Sequence, residues 1–409
     1  MPAPTDILTA ESAPARSAIT GRLRPRRRPQ PAQEEGVYRT MILTSIADID
    51  PQRWDRLVGP AAITRSHAYL SAVEAAAIPE CRYFYPVVFN ARNEIVAHAC
   101  VYTISTDFAQ LLPRPLQHVV EAVRHLRPSL LKARITECAS PLVAGHSLSV
   151  ASDAPRARLI ARLADATADI AWDEGSSLVV IRDFLPEETD VVEALQGRGF
   201  NCVANMPLAR ITVRWNSHEE YLAAMKPRYR KDVVRRLRRA REPGLTVRRI
   251  EQFGDAAQTW LRQVLVVQQA GSRFKREVLT DEYYRQMDRR LGRDSCLLVA
   301  EKDGEAIAHG MVITDRDNTV ATFFGREAGK PGREWFLLVD EVIRAGIERR
   351  SRHIHLGLGS YEAKSLVGAE RLPLTILCRS RYRLVNWLMR CIPGIVNRSA
   401  RPAPGIFRD

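Results

Sequence analysis

The stretch H-I-H-L-G-L-G-S-Y-E-A-K-S-L-V-G at 353–368 combines a strand pattern with side chains that can do chemistry. Apolar residues alternate with smaller or polar ones at its start, which predicts a strand. Gly357 and Gly359 then allow the backbone to approach a ligand closely. A hydroxyl, a phenol and an ammonium group follow, at Ser360, Tyr361 and Lys364. Because concave sites favour strand ends beside helix N-termini, we expect a site here. The alternative is a strand–turn–helix connection whose polar residues face water.

Two basic segments have the chemistry of anion sites. The turn R-E-A-G-K-P-G-R combines glycines, three cations and an immediate helix start, at Arg326, Gly329, Lys330, Gly332 and Arg333. Backbone N–H groups at a helix N-terminus favour phosphate, and the alternative for this turn is a basic, glycine-rich surface turn. Residues 226–241 carry nine Lys or Arg against one Asp. We expect Arg228 and Arg230 there to contact RNA phosphates, a CoA 3′-phosphate or anionic lipid, the alternative being a solvated helix face.

Composition predicts a soluble globular protein with a polyanionic partner. The chain has 409 residues, 45% of them apolar and 26% charged, and a formal net charge of +14. This length suggests two or three domains, and this charge favours a phosphate-bearing cofactor, nucleic acid or an anionic membrane. Seven cysteines lie far apart without metal spacing, so we expect buried thiols in a reducing compartment and no metal site. The chain shows neither a spanning apolar run nor a secretion signal, which indicates a cytoplasmic protein.

The order of predicted elements indicates a duplication. N-E-I-V-A-H-A-C-V-Y at 93–102 and G-E-A-I-A-H-G-M-V-I at 304–313 are both second strands of a hairpin, with His98 and His309 at matching places. Matched elements surround both copies, so two copies of one α+β unit are the better explanation. We divide the chain into a disordered basic tail, two units and an amphipathic C-terminal segment with a tail, at 1–38, 39–215, 216–380 and 381–409.

The element order resembles that of the GNAT acyltransferase fold. Tandem units of this kind resemble Fem-type peptidoglycan aminoacyltransferases and their relatives with a BioF2-like acetyltransferase domain. The likeness is carried by three segments: the basic helix at 221–240, the hairpin G-E-A-I-A-H-G at 304–310 and the strand end G-L-G-S-Y-E-A-K-S-L-V-G at 357–368. It implies an α+β fold of two tandem GNAT-like units, each a twisted mixed sheet flanked by helices.

The resemblance implies roles for these residues. A GNAT binds its donor's pyrophosphate at the turn before its main helix, here the turn 326–333, although the glycine spacing departs by one residue from the usual pattern. The first half has no such cations, so the resemblance places the donor, acyl-CoA or another acyl thioester, in the second unit. Acyl transfer to an amine needs a base, carbonyl polarisation and an acid.

Candidates for these roles follow from residue type. His309 is the candidate base, with a structural strand histidine as the alternative. Tyr361 is the candidate acid, and Lys364 could bind a phosphate or carboxylate. Glu137, Gly359 and Ser360 are candidate substrate contacts, and for Glu137 the alternative is a surface strand position.

Three functional hypotheses follow. The first is an N-acyltransferase that moves an acyl group from acyl-CoA to a primary amine without a covalent enzyme intermediate. The second is a Fem-type aminoacyltransferase that uses aminoacyl-tRNA. The third is a non-catalytic RNA- or membrane-binding protein on the same scaffold.

The C-terminal segment R-Y-R-L-V-N-W-L-M-R-C-I-P-G-I-V-N-R at 381–398 has a large apolar surface bordered by arginines. Pro393 limits its helix to about three turns, too short to span a bilayer. We predict a helix that lies on an anionic membrane at the inner face, with a lipid-like amine as the acceptor. The alternative is a core helix packed on the second unit.

Overall fold

A computed structural model describes residues 38–241, 244–271, 277–329, 332–391 and 405–407. Its strands are β1 (Arg39–Leu43), β2 (Arg82–Phe89), β3 (Ile95–His98), β4 (Val101–Asp107), β5 (Lys132–Cys138), β6 (Ser149–Val150), β7 (Leu178–Phe184), β8 (Asn201–Thr212), β9 (Thr246–Ile250), β10 (Ser295–Lys302), β11 (Glu305–Thr314), β12 (Asn318–Arg326), β13 (His353–His355) and β14 (Glu370–Ser380). Its helices are α1 (Pro51–Val58), α2 (His67–Ala75), α3 (Arg114–Arg124), α4 (Arg156–Asp173), α5 (Thr189–Gly197), α6 (His218–Ala224), α7 (Pro227–Arg241), α8 (Ala257–Gly271), α9 (Asp281–Leu291), α10 (Glu334–Glu348), α11 (Tyr361–Leu366) and α12 (Arg383–Cys391). The predictions for the basic tail up to residue 37, for Lys330 and for residues 392–398 lie outside the described residues.

The two halves repeat one arrangement of strands. In the first half β2, β4 and β5 run antiparallel, and β5 then pairs in parallel with β7. In the second half β10, β11 and β12 run antiparallel, and β12 pairs in parallel with β13. Each parallel pair is connected through a long helix, α4 or α10, as a parallel crossover requires. The predicted fold class is confirmed: α+β, with two tandem GNAT-like units, each a twisted mixed sheet flanked by helices.

The closing strands of the two halves are exchanged. β14 lies between β7 and β8, and β8 continues to β13, so all the paired strands belong to one sheet. The pairing of Cys378 with Val180 shows the end of the second half hydrogen-bonded into the first. The domain boundary near residue 215 therefore stays a prediction. In the sheet, each half contributes the closing strand that pairs with the other half.

Local signals explain most element ends. The Ser217 hydroxyl accepts a hydrogen bond from the Glu220 N–H (3.2 Å), and the Glu220 carboxylate accepts one from the Asn216 N–H (2.9 Å), an arrangement similar to a capping box at the start of α6. Helix α6 then ends at Ala224, and α7 starts at Pro227. The second strand of the first hairpin, predicted as continuous around residues 93–102, is divided by an irregularity at residues 99 and 100 into β3 and β4, so its prediction as one strand is wrong.

The core joins the halves. One apolar cluster contains Trp54 and Tyr69 from the first half and Trp260 and Tyr283 from the second, all of them buried. Helices α2 and α9 pack against each other across this junction. The relative placement of the two halves is thus fixed by a shared core as well as by exchanged strands.

Candidate active site between the two halves

A cavity of about 560 Å³ lies where the parallel strands of both halves separate. The β5–β7 ladder ends at Cys138 and Ile181, and the β12–β13 ladder ends at Val320 and His355. Beyond these points the two strands of each pair are no longer paired, and we call each such opening a fork. The lining comes from both forks and includes Glu137, Val180 and Arg182 from the first half and Ala321, Thr322, His355 and Gly357 from the second. Both halves therefore contribute to one concave site.

The wall from the first half contains a buried ionic network. Arg182 Nε donates to Glu137 Oε2 over 2.9 Å, and its Nη2 donates to Tyr102 Oη over 3.0 Å. Tyr102 Oη in turn donates to Glu137 Oε2 over 2.7 Å. Burial by itself would lower the pKa of Arg182, but Tyr102, Asp183, Glu137 and Glu277 raise it well above its usual value. Arg182 is thus a permanent cation held in a fixed orientation.

Asp183 continues this network into a second cavity of about 230 Å³. It forms an ion pair with Arg182, and its carboxylate accepts hydrogen bonds from Asn205 Nδ2 (2.6 Å) and the Gly145 N–H (3.0 Å). Its φ of +75° lies in the left-handed region, which L residues adopt only at a cost of about 1–2 kcal/mol. Such strain at a cavity wall is typical of functional sites.

His355 lies in the wall shared by both cavities. Its Nε2 atom is buried and has no hydrogen-bond partner among the described residues. Burial, with the nearby charges of Arg210 and His353, lowers the pKa of His355 to about 4. The imidazole is therefore neutral at physiological pH, and a buried ring nitrogen is available to a bound ligand.

The cavities are acidic although the protein is basic. Their described lining contains five carboxylates and two guanidinium groups, from Glu137, Asp183, Glu188, Glu277, Asp315, Arg65 and Arg182. The formal net charge of the chain is +14. This separation of charge favours a cationic ligand inside and a polyanionic one outside.

The outer basic face is a groove of about 810 Å³ along α7. Five cations line it, at Arg228, Arg230, Lys231, Arg235 and Arg238, with Asp232 beside them. The predicted contacts Arg228 and Arg230 are both part of this groove. The guanidinium of Arg236 lies 5.2 Å from the ring centre of Phe336, in the first turn of α10. The α7 helix therefore lies beside the N-terminal end of α10.

The turn before α10 has the conformation that its glycines predict. Gly329 and Gly332 have φ values of +73° and +75°, which side-chain-bearing residues rarely adopt. Arg326 ends β12, and Arg333 immediately precedes α10. The glycines and Arg333 therefore stand where an anion would meet the helix N-terminus.

His309 is enclosed in the core. It is fully buried on β11, and its Nδ1 lies 2.8 Å from Gln263 Oε1 while Nε2 lies 2.9 Å from Tyr284 Oη. Because the amide oxygen can only accept, Nδ1 carries the proton and Tyr284 donates to Nε2. Burial lowers the pKa of His309 to about 3. The matching residue His98 is also fully buried, and burial likewise lowers its pKa to about 3. The geometry is that of a structural histidine, the alternative considered for this position.

Two of the predicted site residues in α11 donate hydrogen bonds to backbone carbonyls. Tyr361 Oη donates to the Pro207 carbonyl over 2.7 Å, and Lys364 Nζ donates to the Leu358 carbonyl over 3.0 Å. Burial lowers the pKa of Lys364 to about 8. Tyr361, Lys364 and the neighbouring Gly359 and Ser360 are not among the described residues that line either cavity, whereas Leu358 and Gly357 line the main cavity.

Sequence reasoning found Glu137 but missed its partners. Arg182 and Asp183 lie near the end of a buried strand, β7, and two adjacent charges in that position were the available signal. His355 lies inside the H-I-H segment that opens the stretch 353–368, and the strand pattern there does not show that its ring lines a cavity.

Comparison with known proteins identifies related sequences and folds. A family model named FemAB-like, described as peptidoglycan biosynthesis/recognition, matches residues 45–337. A putative 8-amino-7-oxononanoate synthase 2 of Mycobacterium tuberculosis is 22% identical over 314 residues, which are 75% of this chain and 41% of that protein. The chain thus spans about two fifths of the length of this relative.

Two solved structures share the fold. The C-terminal domain of a putative lysylphosphatidylglycerol synthetase from Agrobacterium fabrum has a TM-score of 0.53 at 12% identity, covering 85% of this chain and 96% of that one. FemX has a TM-score of 0.52 at 11% identity, covering 84% of this chain and 98% of that one. At these identities the likeness is one of fold alone.

Proposed function

The chain belongs to the FemAB-like family, and on that premise we propose that it transfers an acyl or aminoacyl group to a primary amine in the cavity between its halves. In the finer form of the proposal the donor is acyl-CoA or another acyl thioester. The acceptor is an amine with a lipid-like chain. Family membership and a GNAT-like fold support the general class, an acyl or aminoacyl transferase.

The observation that carries the proposal is the acidic cavity inside a basic protein. A primary amine is an ammonium ion at neutral pH, and carboxylates such as Glu137 and Glu277 in the cavity wall favour it. The same carboxylates disfavour the phosphates of a donor. The cavity therefore suits the acceptor amine and the reacting end of the donor.

The donor's phosphates have a separate basic surface. The turn at Gly329, Gly332 and Arg333 and the groove along α7 both offer cations next to α10. A donor whose phosphates lie there can extend its thioester through the fork between β12 and β13. This route would bring the carbonyl beside His355 and Thr322, which line the cavity.

The reaction then needs only the chain's own groups. The bound ammonium gives one proton to solvent, and the neutral amine attacks the acyl carbon. A C–N bond forms, and the C–S bond breaks with its electron pair leaving on sulfur. His355 Nε2 accepts a hydrogen bond from the attacking nitrogen and passes its proton to the leaving thiolate, so an amide and a free thiol result. Arg182 and Tyr102 keep Glu137 oriented toward the amine.

A second candidate function is transfer from aminoacyl-tRNA. The observation in its favour is the α7 groove, whose five cations suit a run of nucleic-acid phosphates as well as a CoA. In this case the ester oxygen of the tRNA is the leaving group, and the amine again attacks in the cavity.

Donor titrations discriminate between these functions. The full chain is titrated with acyl-CoA and with aminoacyl-tRNA at two salt concentrations, and product formation with a panel of primary amines is followed by mass spectrometry. The proposal predicts saturable acyl-CoA binding and amide formation. Tight tRNA binding that weakens steeply with salt, together with aminoacyl transfer, would favour the second candidate. Binding without transfer from either donor would favour a non-catalytic protein and contradict both.

A further inference from the structure

Two short segments hold most of the exposed apolar side chains. Of the fifteen large apolar residues that are exposed in the described chain, ten lie in 116–131 or 382–388. In the first segment they are Leu116, Val119, Val123, Leu126 and Leu131. The spacing of the first four places them on one face of α3 and its C-terminal extension. Only Val120 of α3 is buried.

The second segment is α12 with the residue before it. Its exposed apolar residues are Tyr382, Leu384, Val385, Trp387 and Leu388, and the exposed fraction reaches 67% at Leu384 and 58% at Trp387. Other residues hold the helix to the sheet: Asn386 Nδ2 donates to the Ser380 carbonyl over 2.7 Å, and Arg390 Nε donates to Asn201 over 3.0 Å. The apolar face is therefore exposed while the helix is anchored, and α12 is not a core helix.

A residue close to each segment contacts the apolar wall of the main cavity. Phe108, just before α3, and Met389 of α12 pack against the same cluster, which contains Ile135, Val180 and Cys378. Phe108 and these three residues also line the cavity. Residues close in sequence to both exposed faces thus reach one apolar cluster in the wall of the proposed reaction site.

The charge around these faces is predominantly positive. Residues 112–132 contain four Lys or Arg against one Glu, and residues 381–391 contain three Arg and no acidic residue. Helices with an apolar face and basic flanks lie in the interface of anionic bilayers. None of the described helices is long and apolar enough to cross a membrane. The nine residues of α12 span about 14 Å, which suits a helix lying along the surface.

We infer that α3 and α12 together form a docking face for an anionic lipid bilayer, which brings a lipid acceptor to the cavity between the halves. The inference rests on the proposed function for the acceptor, whereas docking itself is a separate property. Two helices share the surface, so neither alone should support full binding.

Vesicle flotation of the full chain tests this inference. The probes are vesicles of phosphatidylcholine alone and of phosphatidylcholine with phosphatidylglycerol. Two single variants, Val119→Glu on α3 and Trp387→Glu on α12, each replace an exposed side chain. Met41→Glu is the matched control, because Met41 is also an exposed large apolar residue but lies on β1.

We expect binding to the anionic vesicles only, weakened by salt, and a loss of at least roughly tenfold in affinity for each helix variant but not for the control. Equal flotation of all four proteins, or flotation lost only in Trp387→Glu, would overturn the two-helix face. Concentration-dependent dimerisation abolished by the same two variants would assign the face to a second copy and also overturn the inference. Transfer to a short soluble amine is measured without vesicles. Retained transfer with no vesicle binding would overturn docking while leaving the proposed function intact.

Discussion

The change in the free energy of unfolding on acidification tests whether His309 is sealed inside the core. The structure places it fully buried, with Gln263 and Tyr284 bonded to its two ring nitrogens. Burial lowers its pKa to about 3, whereas an unfolded chain has a histidine pKa near 6.5. Below about pH 6.5 the unfolded state binds a proton that the native state excludes. Stability contributed by the neutral group is therefore present above that pH and lost as the pH falls toward the folded pKa.

The magnitude follows from linkage. Between pH 7 and pH 5 a histidine that stays neutral in the native state lowers the free energy of unfolding by roughly 2 kcal/mol. His98 is in the same situation, so the two histidines together remove roughly 4 kcal/mol. The result depends little on the exact native pKa, because any value well below 5 gives nearly the same loss over this interval.

The assay compares urea unfolding of the wild type and His309→Gln at the two pH values. A glutamine amide can donate to Gln263 and accept from Tyr284, but it does not titrate. All other groups contribute equally to both proteins, so the variant should lose roughly 2 kcal/mol less stability on acidification. An equal loss in both proteins would mean that native His309 takes up protons freely. That outcome would refute its assignment as a sealed structural histidine and restore it as a candidate base.

Three further predictions concern the site and its supports. Arg333→Glu should weaken acyl-CoA binding about tenfold by placing a like charge beside the pyrophosphate. The same charge reversal at Arg92, in the β2–β3 turn, should leave binding unchanged. If calorimetry gives both variants the same acyl-CoA affinity, the turn before α10 is not part of the donor site. Tyr361→Phe should cost about 1 kcal/mol of stability through the lost hydrogen bond to Pro207 and change kcat less than about twofold, and a large fall in kcat with unchanged stability would instead make the phenol an acid. Arg182→Met should destabilise the protein by roughly 3–5 kcal/mol because it leaves buried carboxylates unpaired; a melting temperature equal to that of the wild type would contradict the ionic network.

The repeated elements could be predicted from local patterns, and the exchanged strands could not. The hairpin around His309 and its match around His98 indicated two copies of one unit. No local signal predicts that β14 inserts between β7 and β8, because the pairing of Cys378 with Val180 joins residues far apart in the chain. Strand register of that kind is set by the packed sheet as a whole.

The candidate site was predicted in outline only. Gly357 and Glu137 do lie at the cavity, since strand ends and inward-facing carboxylates leave traces in sequence. The role of His309 depended on whether α8 and α9 cover its strand, which the strand pattern cannot reveal. Arg182 became recognisable only when the parallel pairing of β5 and β7 brought it within 2.9 Å of Glu137.

The direct test of the central claim is amine-dependent release of free thiol from acyl-CoA by the wild type, Glu137→Gln and the matched exposed variant Glu305→Gln. The donor dissociation constant is measured in parallel for all three proteins. Transfer in the cavity predicts that the wild type and Glu305→Gln release thiol at equal rates. It also predicts that Glu137→Gln loses at least about tenfold in kcat/KM for the amine with unchanged donor affinity, because a charge-assisted contact contributes about 1.5–3 kcal/mol. Equal rates in all three proteins, or no amine-dependent release by any, would contradict the claim.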